Sequence, residues 1–349
     1  MINQTLSLPD APESINARAM LGLMLIAAVI VFADLLVGTR SIDIGSDTYV
    51  YAGLFHAMGH QGLVVSRFEP VFYYLTALIA WLGVSLTAYQ STLFLVMMGT
   101  VVVATRRYYA YLDSEGRYMT FLVASLLFLF ISPVMANATI NVVRQGLASL
   151  LVFTALLCFQ QRQWRAYFLW GLLATGFHYS SVLYLLCAPA LLFKPRLLRA
   201  VGILAFLAYC SGLTMLLIRA LVPAAYTLVM KYDGSATYHT GVRLDFAVFS
   251  LFWYLLPYGV AWLVREPVRE QIKRTTAVYL VLMLPFFAVG WGSFSNRYLL
   301  PAWLSVSLIL AAICCNNRLS PLRNPILLRM GLVAACGAFY FYVSHGFVI

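Results

Sequence analysis

The chain is predicted to be an all-α polytopic membrane protein, a bundle of roughly 9–11 transmembrane helices with a re-entrant hairpin and an extracytoplasmic amphipathic helix. Three observations lead there. Of its 349 residues 62% are hydrophobic and only 10% charged, where ordinary soluble domains carry roughly 25% charged residues. Apolar runs recur at lengths near the ~20 residues that a helix needs to cross a bilayer. Finally, 15 of the 23 Lys and Arg fall in five short clusters between those runs.

The clusters are Arg106/Arg107/Arg117, Arg162/Arg165, Lys194/Arg196/Arg199, Arg265/Arg269/Lys273/Arg274 and Arg318/Arg323/Arg329. Short basic loops stay on the cytoplasmic side, so these are expected to be cytoplasmic. With its net charge of +11 distributed this way, the chain is not expected to bind nucleic acid. The six cysteines lie in or beside apolar runs without metal-ligand spacing and read as small buried hydrophobes.

Residues 1–17, polar and holding Pro9 and Pro12, are expected to form a disordered cytoplasmic tail, and 18–349 one integral-membrane domain. The first apolar run, Ala19 to Gly38, has no small-residue cleavage site after it and reads as a retained helix. Extracytoplasmic loops are expected at about 39–68, 223–245 and 292–298, the first with an amphipathic helix over Tyr49–Met58. Pro70 suits a first helical turn. Apolar runs follow at about 71–86, 89–105, 118–135 and 143–159. If both 71–86 and 89–105 cross, Arg106 and Arg107 land outside; a re-entrant segment at 71–86 restores them to the cytoplasm. Only 28 residues separate the second and third clusters, too few for two spans, so a hairpin with His178 at its tip is expected. Spans at about 200–222, 246–264, 276–291, 299–315 and 330–345 complete the chain, with no internal repeat.

The polar residues of these segments gather at outer ends or at the hairpin tip: Glu69, Arg144, Gln145, His178 and Arg297. Ionisable groups at membrane depth are expensive and mark function by default. The planar donor fork of Arg suits a diphosphate, and a carboxylate or imidazole can move a proton. Each has a plainer alternative: a headgroup anchor for Arg144 and Arg297, a helix N-cap for Glu69, a capped tip for His178. His56 and His60 have the i, i+4 spacing of a metal pair, and Asp43 and Asp47 that of a loose acidic site. No third ligand accompanies either pair, so no metal and no cofactor is expected.

An external Asp47-Thr-Tyr49-Val-Tyr51, Glu69-Pro70 and Arg144-Gln145 each opening an apolar run, Phe177-His-Tyr-Ser180 and a late Asn296-Arg-Tyr298 resemble, in order and rough spacing from about residue 40 to 300, the EpsG-type, Wzy-like polysaccharide polymerases. This sequence departs from many relatives in having Val71-Phe72 after Glu69-Pro70, where Gly is frequent. The resemblance implies a glycosyltransferase of the bacterial inner membrane. It would polymerise undecaprenyl-diphosphate-linked oligosaccharide repeat units at the periplasmic face into an O-antigen, capsule or exopolysaccharide. Partners would be those lipid-linked sugars, membrane lipid and a chain-length regulator. Arg144, Glu69 and His178 would be catalytic, and Arg297, Asp47, Gln145 and Tyr298 substrate-binding. A flippase or transporter of lipid-linked sugars, an O-antigen ligase, and a membrane acyltransferase using His178 are the alternatives.

Overall fold

The computed structural model describes residues 17–114, 116–231 and 240–347. The tail expected over 1–17 lies outside the described residues except for Ala17, as does part of the 223–245 loop, residues 232–239. Sixteen α-helices are described. They are α1 (Ala17–Gly38), α2 (Thr48–Gln61), α3 (Pro70–Trp81), α4 (Leu86–Leu112), α5 (Tyr118–Ile131), α6 (Pro133–Ile140), α7 (Val143–Gln160), α8 (Trp164–Phe177), α9 (Ser181–Leu186), α10 (Pro195–Cys210), α11 (Leu213–Leu221), α12 (Pro223–Val229), α13 (Leu244–Gly259), α14 (Val268–Val289), α15 (Leu300–Cys315) and α16 (Pro325–Ser344). By length and apolarity seven described helices can cross a membrane, or nine if the bent pairs α5–α6 and α10–α11 each count as one. The all-α polytopic class holds; the count of nine meets the lower end of the expected 9–11 spans, and the count of seven falls below it.

Helix starts and breaks follow local chemistry. Pro70, Pro133, Pro195 and Pro325 each sit in a first turn, where the missing N–H costs nothing. Ser132, ahead of Pro133, is driven to an extended conformation (φ −80°, ψ 123°), and the chain turns 79° between α5 and α6. The run expected as one span over 200–222 is broken at Gly212, with an 85° bend between α10 and α11. Gly212, at φ +75°, supplies a turn that L-residues disfavour.

The core sits around α7, which packs on α4, α8, α14 and α15. Its span is 89% buried, against 22% for α13 and 28% for α1 and α16, so α7 is the axis and the others form the wall.

Contacts join the basic clusters at one end of the bundle. Tyr111 donates to Gln160 (2.9 Å), which donates to the Arg274 carbonyl (3.1 Å). The Asn316 carbonyl accepts from the Arg265 amide (3.0 Å), and Arg199, Lys273 and Arg274 line one pocket. At the other end Gly38 approaches Ser91 and Thr87, so α1 and α4 run antiparallel. The 12 residues of α3 reach ~18 Å, short of the ~30 Å of a bilayer core. Thr76 on α3 bonds Tyr89 on the first turn of α4 (3.1 Å). Thus α3 does not cross, and Arg106 and Arg107 join the other basic clusters. The expected hairpin is α8 and α9, turning at His178. Helix α2 matches the expected amphipathic one: Tyr51, Leu54, Phe55 and Met58 are buried, His56 and His60 exposed.

Candidate active site

The end opposite the basic clusters collects the predicted polar residues. Arg144 and Gln145 lie in the first turn of α7, where a cation runs against the helix dipole by ~0.3–1 kcal/mol. A carboxylate offsets this. Arg144 Nη1 donates to Glu69 Oε2, a partner 75 residues away at the start of α3. Glu69 is buried, and its Oε1 accepts the backbone N–H of Tyr179 at the hairpin tip (3.2 Å). Glu69 makes no helix-cap bond, so the plain N-cap alternative does not describe it. The guanidinium lies over Phe68 at 4.5 Å, with Tyr51 and Phe72 near 6 Å. It is enclosed in an aromatic box. Its Nε is buried without a hydrogen-bond partner among the described residues, a cost of about 1–3 kcal/mol or more.

The second pair is Arg297 with Asp47, Nη2 to Oδ2 3.5 Å. The loop before α2 places Asp47. Gly45 has φ +91°, and a Cβ there would overlap the Ile140 carbonyl, so only glycine lets the loop lie on the α6–α7 break. Ser46 N–H donates to Asn141 Oδ1 (2.9 Å) and Thr48 Oγ1 to the Ile140 carbonyl (2.8 Å). Arg297 is set by Gln145, whose Nε2 donates to its carbonyl, bridging 152 residues of sequence. Tyr51, one helical turn after Asp47, lies with its ring 5.9 Å from the Arg144 guanidinium.

His178 feels the charges of Glu69, Arg144 and Arg297. Its Nδ1 accepts the backbone N–H of Ser180 (3.2 Å) and lies 2.7 Å from the Ser180 hydroxyl. Accepting an amide proton requires a bare Nδ1, which leaves the ring proton on Nε2. The tip is set by close approach of α8 to α3, because a Cβ on Gly176 would overlap Val71. Tyr298 is half-buried, and its carbonyl accepts from Tyr184 (3.1 Å).

The structure therefore brings together Asp47, Glu69, Arg144, Gln145, His178 and Arg297, with Tyr298 alongside. Asp43 stands apart, bonded to Ser41, and no group of three or more metal-ligating side chains occurs among the described residues. Sequence reasoning missed the box residues Phe68 and Phe72, the Asn137–Asn141 pair that supports the loop (3.1 Å), and Tyr184. Tyr51 was visible four residues after Asp47, and the two asparagines were visible as an i, i+4 polar pair in an apolar stretch. Nothing local distinguishes Phe68, in the loop before α3, or Tyr184, on α9, from the chain's other aromatic residues.

No curated protein sequence and no solved structure matches the chain at a significant level. A family model matches residues 23–347, nearly the whole length. The cluster of two arginines, two carboxylates and a histidine thus sits within a chain that belongs to the EpsG family, a family of Wzy-like polysaccharide polymerases.

Proposed function

We propose that this protein lengthens a bacterial surface polysaccharide by moving a growing glycan from one undecaprenyl diphosphate to the sugar of a repeat unit on another, at the periplasmic face of the inner membrane. The observation that carries the reading is Arg144 and Arg297, from distant helices, held in one cluster with carboxylates beside them. As the anomeric bond to the diphosphate breaks, negative charge grows on the leaving oxygens. Fixed cationic donors at that place are the main catalytic need. Arg144 meets it with a guanidinium already oriented by Glu69 and the aromatic box, on a side chain still 19% exposed. Arg297 supplies the second cation. Each arginine has guanidinium donors beyond the one its carboxylate takes, and these can meet diphosphate oxygens.

The hydrogen bonds also favour one proton acceptor. Glu69 has both oxygens engaged, and His178 presents Nε2–H, a donor. Asp47 has only the longer contact to Arg297 and is half-buried. We assign Asp47 to the acceptor hydroxyl, Glu69 to the orientation of Arg144, and His178 Nε2–H to a substrate oxygen. Gln145 and Tyr184 hold the Arg297–Tyr298 turn, with Tyr298 placed beside the substrate. Arginines can stabilise a diphosphate leaving group alone, so the reaction is proposed to need no metal.

The test is reconstitution of the purified protein in lipid vesicles with a polyprenyl-diphosphate-linked repeat unit. A ladder of lipid-linked oligomers is expected. Movement of unaltered repeats across the bilayer without oligomers would indicate a flippase instead, and transfer only to a lipid A core acceptor a ligase.

A further inference from the structure

Beside the charged cluster lies a cavity that the reaction above leaves unused. It is a slot of about 560 Å³ between α13, α15 and the α5–α6 bend, walled by Phe128, Phe246, Phe249, Trp253, Trp303 and Leu310. Phe249 is exposed and Phe128, Phe246, Trp253 and Leu310 are half-buried, so the slot opens at the apolar outer surface of the bundle, where a lipid chain can enter it. The slot exists because α6 turns away from α5 at Ser132-Pro133, and Ser132, Pro133 and Val134 line its upper wall.

Its walls are held in place. Trp303 Nε1 donates to Ser250 Oγ (2.9 Å), while Phe246 and Phe249 pack edge-on against the Trp303 ring at 5.4 and 5.5 Å. The slot also has a direction. Val134 and Trp303 line both the slot and a narrow crevice that holds Arg297 and Asn137. An occupant is therefore apolar along most of its length and anionic or polar at one end. The carboxylate at the slot, Asp245, would oppose an anionic head, but Arg243 clamps it with two hydrogen bonds (3.0 and 2.6 Å). Arg243 itself lies over the Phe246 ring at 3.9 Å. What remains uncompensated at the slot is apolar surface.

We propose that this slot takes the isoprenoid chain of a lipid-linked sugar diphosphate and brings its diphosphate to Arg297. The proposal rests on the functional reading above and names where the lipid lies. A single chain ending in a diphosphate fits one apolar slot that ends at one guanidinium.

Two measurements test it in the membrane-embedded protein. The first compares a lipid-linked repeat on a long polyprenyl diphosphate with the same repeat on geranyl diphosphate. Val306→Trp, which fills the slot, should raise KM for the long-chain substrate at least about tenfold, the size expected from a few lost buried methylenes. Its kcat and the geranyl KM should stay at wild-type values. Equal losses with both substrates, or with neither, overturn the proposal. The second needs no activity: a photoreactive benzoylphenylalanine at position 249, an exposed site, is irradiated in vesicles containing polyprenyl diphosphate and phospholipid. Adducts carrying the isoprenoid support the slot, whereas adducts with phospholipid alone, or none, overturn it. Isoprenoid adducts in a wild-type protein that makes no polymer would leave the slot standing and remove the polymerase reading.

Discussion

Replacement of Arg144 by Lys separates a diphosphate ligand from a lipid anchor. The ammonium keeps the charge beside Glu69 and over Phe68, so the buried carboxylate stays compensated and the fold should persist. By contrast, Arg144→Met would leave Glu69 buried and unpaired, at about 3–5 kcal/mol. What Lys cannot supply is a planar fork: Arg144 spends Nη1 on Glu69 and keeps further guanidinium donors in the same plane. Losing one preorganised donor to an oxyanion costs about 10²–10³ in rate, roughly 2.7–4 kcal/mol of transition-state stabilisation. In a polymerase-deleted cell, Arg144→Lys at normal protein level should leave single capped repeats and little long polymer, read on a glycan gel. Wild-type chain lengths would refute the reasoning, since a snorkelling anchor is served by Lys as well as by Arg.

Asp47→Asn should cut polymerisation by about 10²–10⁴ while Asp47→Glu retains part of it, as a proton acceptor requires; equal rates for Asn and wild type in the vesicle assay would return the proton to Glu69 or His178. Glu69→Gln should weaken donor binding as well as turnover, because Arg144 loses its orienting charge; a defect in kcat alone would instead mark Glu69 as the base. Gly176→Ala should impair polymerisation by pushing the hairpin tip off Glu69, and Val71→Ala in the same chain should restore it; failure of that rescue would separate the tip from the site. Single cysteines at Val65 and beside Arg269 should label from opposite sides of the membrane, and labelling of both from one side would overturn the arrangement of ends.

The sequence alone determined the class, because ~20-residue apolar runs have no stable place outside a bilayer and every backbone group there must bond within its own helix. It also singled out Glu69, Arg144, His178 and Arg297 as candidates, since charge at the end of a membrane segment is costly, and it left a plainer alternative open for each. It placed the short helix and the hairpin through loop charge and length, which are sums over neighbouring residues. What it left undecided were relations between distant residues. The Glu69–Arg144 pair spans 75 positions, and the turn that holds Arg297 is tied to Gln145 across 152. Both are set by how α3, α7 and the segment before α15 pack. The engaged oxygens of Glu69 and the aromatic slot likewise came only from tertiary structure. A side chain's hydrogen-bond partners and the space beside it belong to neighbours that no local pattern names.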